Sequence, residues 1–265
     1  MIEIHSGDSV VVGIDGSTAA VYAAHWAVDE AISREVPLRL VSCVRRSAES
    51  DHMAMEYART CLRAAHAAIE TTAPQVKIET AVVTGDPTVA LIKESRDAAL
   101  VCVGSVGIGR FAKSLLGSTA AGVAESAPCP VAVIRSYSPR RPTTDGAIMV
   151  EVNDWEENHD VLAAAVAEAK LRARPIVAVG VCPPETGVTA WQELRRRTSV
   201  WRDLHPDVEI TAAPVTTSVV DYLQNTHEPI SLVVVGVHSA RDLPAIIGSH
   251  ADTNRDHPSV LIARA

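Results

Sequence analysis

The chain is predicted to fold as two tandem α/β domains, each an open, five-stranded parallel sheet with helices on both faces. Three observations carry that expectation. Short Val-rich runs alternate with Ala-rich segments of helical period. One run, Ala99 to Gly104 (ALVCVG), is apolar almost without a break, as a strand covered on both sides requires. The order of elements then recurs in the second half of the sequence. Strands separated by helices form right-handed crossovers and pair in parallel.

Ser9 to Ile14 is the first strand. Asp15-Gly16-Ser17-Thr18 turns the chain into a helix reaching about Glu35, with Ala20, Ala24, Ala27 and Ala31 on one face, and Pro37 is expected to end it. Leu38 to Val44 is the second strand and Asp51 to Thr72 a long helix rich in Ala, His and Arg. Lys77 to Val83 alternates and forms the third strand. Gly85-Asp86-Pro87 starts a short helix, with Pro where a first turn tolerates it. Ala98 to Gly104 is the fourth strand. Thr119 to Ser126 is a helix that Pro128 and Pro130 break, and Val131 to Arg135 is the fifth strand.

Ser136 to Thr144 (SYSPRRPTT) is polar and contains proline, so it reads as a linker between domains 1–138 and 145–265. Gly146 to Val152 opens the second set of strands. ALVCVG parallels SLVVVG (Ser231 to Gly236), and CPVAVIR (Cys129 to Arg135) parallels PSVLIAR (Pro258 to Arg264). Asp15 precedes Leu38 by the same separation as Asn153 precedes Ile176, so Asn153 takes the place of Asp15.

Composition narrows the function classes. A formal charge of −8 with 3% aromatic residues disfavours a nucleic-acid surface, which needs basic stripes and stacking rings. The five cysteines are odd in number, dispersed and lack any CxxC, which suits a reducing compartment. The N-terminal stretch has no basic flank followed by an apolar run, and no segment approaches a membrane span. A cytoplasmic location is expected, with no nucleic acid and no membrane span. The ten histidines show no paired spacing beside carboxylates, so no metal site is assigned. Cys129, between two prolines, reads as packing.

The chemistry is concentrated in Gly104 to Thr119, GSVGIGRFAKSLLGST. Gly104 and Gly107 let backbone N–H groups approach an anion, and Gly117, Ser118 and Thr119 open a helix whose N-terminus favours phosphate. Two rival motifs fail. GIGRFAKS carries Ala112 where a P-loop needs its second glycine, and Gly13-Ile14-Asp15-Gly16 has the wrong spacing for a dinucleotide fingerprint.

The G-x2-G-x9-G-[ST] spacing at Gly104, Gly107, Gly117 and Ser118, behind a buried strand, resembles that of the universal stress protein family. Both halves look like its domains, and the tandem arrangement is similar to that of actinobacterial, mycobacterial-type members. The resemblance implies a Rossmann-like, adenine nucleotide α-hydrolase-like fold, with ATP held at the carboxyl edge of the sheet. Asp15 would make a polar contact to the nucleotide, with Gly13 and Ile14 beside it. The main chain at Cys43 would hold the adenine edge, leaving its thiol inert. Val103 and Gly104 would lie against the ribose. Gly107, Gly117, Ser118 and Thr119 would hold phosphates, with hydroxyls reaching Mg2+. Arg110 and Lys113, in the glycine loop, are candidates to pair with phosphate oxygens or to remain solvated. Asp15 alone could equally be a helix N-cap.

The second half departs from this pattern. Asn153 replaces the aspartate, and Asp154, Trp155, Glu156 and Glu157 crowd the turn. Ser239 replaces the second motif glycine, and Gly248-Ser249 arrives one residue early. Thr217-Ser218-Val219 stands for Gly85-Asp86-Pro87. Weak or absent ATP binding is expected there. No Glu, His or Gln beside the cradle is identifiable as a base, so hydrolysis should be slow. The resemblance implies a regulatory, ATP-binding stress and growth or persistence signalling protein. The alternatives are a slow ATPase or nucleotidyl-transfer enzyme, or an assembly module with a vestigial pocket. The apolar terminal strands, Val131 to Ile134 and Val260 to Ala263, suggest edge pairing. The resemblance implies that such strands join the two halves within the chain, with a homodimer formed through another face and a signalling protein as further partner.

Overall fold

The structure is a computed structural model and describes residues 9–45, 51–108, 116–135, 146–153, 158–185, 187–247 and 258–264. The chain divides into two compact units, Met1–Ser136 and Tyr137–Ala265. The expected linker over 136–144 lies outside the described residues.

In the first unit, β1 (Ser9–Gly13), α1 (Thr18–Ser33), β2 (Leu38–Val44), α2 (Asp51–Thr72), β3 (Ile78–Thr84) and α3 (Pro87–Glu94) are followed by a 3-10 turn, Ser95–Asp97. β4 (Ala98–Gly104), α4 (Ser118–Ser126) and β5 (Val131–Ile134) complete it. Strand order is β3-β2-β1-β4-β5. All pairs are parallel, with Gly13 opposite Val41 and Val12 opposite Cys102. The chain moves one way from β1 to β2 and β3 and the other way to β4 and β5. Loops leaving the carboxyl ends of β1 and β4 therefore diverge, which opens a crevice between them.

The core follows from composition. Val10, Val11 and Val12 on β1 and Leu100, Val101 and Cys102 on β4 are buried, as a sheet covered on both faces demands. The alanines of α1 all face inward: Ala20, Ala24, Ala27 and Ala31 are buried. Their small side chains let the helix lie close to β4, where a Cβ on Gly104 would stand 2.7 Å from the Ala19 carbonyl carbon.

α1 ends two residues before the expected Glu35. It stops at Ser33, and Glu35 takes a left-handed conformation with φ 56°. The amides of Glu35 and Val36 donate to the carbonyls of Ile32 and Ala31 at 3.1 and 3.0 Å. This pair of hydrogen bonds closes the last turn, with Glu where Gly is usual.

The second unit contains β6 (Ala147–Val152), α5 (Asn158–Arg172), β7 (Ile176–Val181), α6 (Gly187–Leu204), β8 (Ile210–Val215), α7 (Val219–Asn225) and β9 (Ile230–Val235). A 3-10 segment, Val237–Asp242, then leads to α8 (Leu243–Ile247) and β10 (Ser259–Ile262). Its sheet runs β10-β9-β6-β7-β8 in parallel, the connectivity of the first unit. Among the described residues, no helix is long and apolar enough to cross a membrane.

Candidate adenine-nucleotide site

The candidate site lies at the carboxyl ends of β1 and β4. Asp15 follows β1 and does not cap α1. That role belongs to Ser17, whose hydroxyl accepts from the Ala20 amide at 3.1 Å. One oxygen of Asp15, Oδ1, accepts from the Ser17 amide at 2.9 Å, which shapes the turn. The other, Oδ2, accepts from the Ile108 amide at 3.1 Å. The carboxylate thus ties the end of β1 to the loop behind β4.

Gly107 is what allows this approach. A Cβ there would stand 2.5 Å from Asp15 Oδ2, so no other residue leaves the carboxylate in place. The next motif glycine, Gly117, donates its amide to the Ser105 carbonyl at 2.7 Å, which brings the start of α4 back over the loop. Gly117 is also the N-cap of α4, and no side chain caps the helix. By contrast, α1, α3 and α7 carry side-chain caps from Ser17, Asp86 and Ser218. The first-turn amides around exposed Ser118 and half-buried Thr119 therefore have no side-chain cap among the described residues. Phosphate oxygens fit such a set of donors.

The remaining predicted residues fall around the same edge. Gly13 ends β1, where a Cβ would come within 3.0 Å of Leu91 Cδ1 and 3.6 Å of Val103 Cγ1. Ile14 is buried and donates its amide to the Val41 carbonyl at 2.8 Å. Cys43 lies near the carboxyl end of β2, opposite Val83. Burial, aided by the negative charges of Glu94 and Asp86, pushes its thiol up to about 11, so it is inert at neutral pH. Arg110 and Lys113 lie outside the described residues, as do Asp154, Trp155, Glu156, Glu157, Gly248 and Ser249.

Sequence reasoning missed Tyr57. On α2, its phenol donates to the Asp15 carbonyl at 3.4 Å. A hydrogen bond with the Cys61 thiol raises the phenol above its usual range. Both side chains crowd Gly16: a Cβ there would meet Tyr57 Oη at 2.6 Å and Cys61 Sγ at 2.8 Å, and φ is +87°. Gly16 is therefore required on two counts, which its place after Asp15 hinted at. Asp86 also reaches out to Arg45 at 3.3 Å while capping α3.

At the corresponding edge of the second unit, the carbonyl of Asn153 accepts from Arg197 Nη1 at 2.8 Å. Arg197 is held in turn by Glu193, whose carboxyl sits at about 2 because Arg196 and Arg197 both bond to it. Among the described residues, no group of three or more His, Cys, Asp or Glu could hold a metal ion.

Comparison with known proteins agrees with the architecture. Residues 8–135 match the sequence model of the universal stress protein family. A universal stress protein of Mycobacterium tuberculosis H37Rv is 42% identical over 261 residues, covering 97% of this chain and 96% of the relative. A second from the same strain is 42% identical over 245 residues, covering 89% and 90%. A universal stress protein structure from Archaeoglobus fulgidus DSM 4304 shares the fold, with TM-score 0.71 at 16% identity, covering 98% of this chain and 99% of that one. With relatives this similar over both halves, the chain belongs to the universal stress protein family, as a tandem member of the mycobacterial type.

Proposed function

We propose that the first unit binds ATP and that the protein acts as a nucleotide-responsive regulator in stress and growth or persistence signalling. The observation that carries this reading is the Asp15 to Ile108 tie over a bare Gly107, beside the uncapped start of α4. It leaves backbone donors at a crevice where parallel sheets take their ligands. The adenine would sit toward β2 at Cys43, the ribose against Val103 and Gly104, and the phosphates on Gly107, Gly117, Ser118 and Thr119, with Arg110 as a charge partner. Mg2+ would arrive with the phosphates, on the Ser118 and Thr119 hydroxyls. A site made of backbone amides stabilises charge without supplying a base, which favours binding over turnover.

Native mass spectrometry of protein purified without added nucleotide tests this directly. A mass increment of one adenine nucleotide per chain is expected, displaced by added ATP in calorimetry. Failure of ATP, ADP and AMP alike to bind would overturn the reading, and rapid single-turnover ADP formation would replace it with an enzyme. The same spectra report assembly: a homodimer is expected, and a monomeric mass would remove it.

A further inference from the structure

In the second unit the same edge is built with side chains where the first has bare backbone. Gly13 is opposite Val41 on β2, and Glu151 is opposite Val179 on β7, so a glutamate stands where β1 ends in glycine. Ser239 follows Gly236 as Gly107 follows Gly104. These two replacements meet: the Ser239 hydroxyl donates to Glu151 Oε2. In the first unit a side chain at Gly13 would press on Leu91, which is 2% exposed.

The backbone donors change as well. In the second unit the segment after β9 is wound into the 3-10 turn Val237–Asp242 and then α8, and the Ser239 amide donates to the Gly236 carbonyl at 3.2 Å. Leu243, Ile246 and Ile247 are buried under it, which anchors the segment in that form. The Ser239 amide, bonded within that turn, is not offered to an anion.

We infer that the second unit is latched shut against nucleotides by its own carboxylate, Glu151 held on Ser239, so that the chain carries one nucleotide and Glu151 determines which half binds it. This rests on the reading of the first unit as an ATP site. The latch fills the space between the strand end and the loop, and its negative charge opposes phosphate.

Equilibrium dialysis of the full chain against labelled ATP, with hydrogen exchange on the same samples, tests it. Wild type is expected to hold one equivalent, with ATP slowing exchange over 104–119 and leaving 236–247 unchanged. The double substitution Glu151→Gly, Ser239→Gly is expected to raise the stoichiometry to two and to extend protection to 236–247. Two equivalents in wild type, or a folded double variant that gains none, overturns the latch. If the double variant does not fold, wild-type exchange decides alone: ATP protection over 236–247 greater than that of the β6 and β9 amides overturns the proposal, and protection there no greater than that of β6 and β9 upholds it. Failure of the first-unit reading looks different. Wild type would then bind no ATP, and a double variant gaining one equivalent would keep the latch.

Discussion

At the scale of single residues, Asp15 holds two amides that belong to different parts of the fold, Ser17 in its own turn and Ile108 behind β4. Hydrogen bonds to a charged acceptor contribute about 2 kcal/mol each, and partial exposure reduces that. Asp15→Ala is therefore expected to lower the urea-unfolding free energy by about 2 kcal/mol and to abolish ATP binding in calorimetry. Gly107→Ala reaches the same carboxylate from the other side. Its Cβ would lie 2.5 Å from Oδ2 and must break the bond to Ile108, so ATP affinity is expected to fall at least about tenfold with a smaller loss of stability. A variant that binds ATP as wild type does would disprove the role given to this contact. Cys43 gives a pH test. Its thiol is raised from 9.0 to about 11, so the stability owed to the protonated form is complete below pH 9 and is lost as pH rises through 11. Alkylation of Cys43 by iodoacetamide at pH 8 is expected to run about 100-fold slower in the native protein than in urea, followed by peptide mass spectrometry. That Asp15 and the motif glycines gather at one sheet edge was legible in the sequence, because they lie in the loops leaving two adjacent strands. Tyr57 was not, because its reach to Asp15 depends on how α2 packs. Glu151 was not, because a strand-end glutamate looks solvated until Ser239 is seen beside it.

At the scale of elements, the strands and helices were legible where period and capping chemistry agreed. β2, α2 and β4 begin and end where the residue pattern predicts, and Asp86 caps α3 at 2.9 Å from the Thr88 amide. α1 ends two residues short of the expected Glu35, because the stop is set by a left-handed Glu35, which has no sequence signature, and not by Pro37. The same stop recurs at Ala173, with φ 52° and the Arg174 amide on the Ala169 carbonyl at 3.0 Å. Just before each stop lies a buried glutamate paired with an arginine one turn on: Glu30 with Arg34 at 3.1 Å, and Glu168 with Arg172 at 2.8 Å. Duplication preserved this device although the loops diverged. It did not preserve packing under α6. A narrow apolar cavity there is lined by Val166, Ile176, Ala178, Trp201 and Ile210, and Ala178 stands on β7 where Leu40 stands on β2. Ala178→Val is expected to fill part of it and raise stability by about 1 kcal/mol. A lowered urea midpoint would mean that the space is not free to receive two methyl groups.

At the scale of the whole molecule, the two units share a connectivity and differ at the edge where parallel sheets bind ligands. The skeleton was legible as a repeat because strand cores tolerate little besides Val, Ile, Leu and Ala. The difference at that edge was legible as a lost aspartate, added carboxylates and missing glycines, but not as the contact that fills the space the glycines vacate. A ligand that binds one folded unit stabilises that unit by mass action, about 4 kcal/mol at 1,000 times its dissociation constant, and gives no direct term to the other. Hydrogen exchange of the full chain with saturating ATP is therefore expected to slow the globally protected amides of β1 and β4, with a much smaller change in those of β6 and β9. Equal protection of both cores would mean that the units unfold together, and the nucleotide would then report on the whole chain. Selective protection of the first core would leave the second unit free to keep its own stability and surface in either nucleotide state, as a fixed platform linked in one chain to a switchable unit.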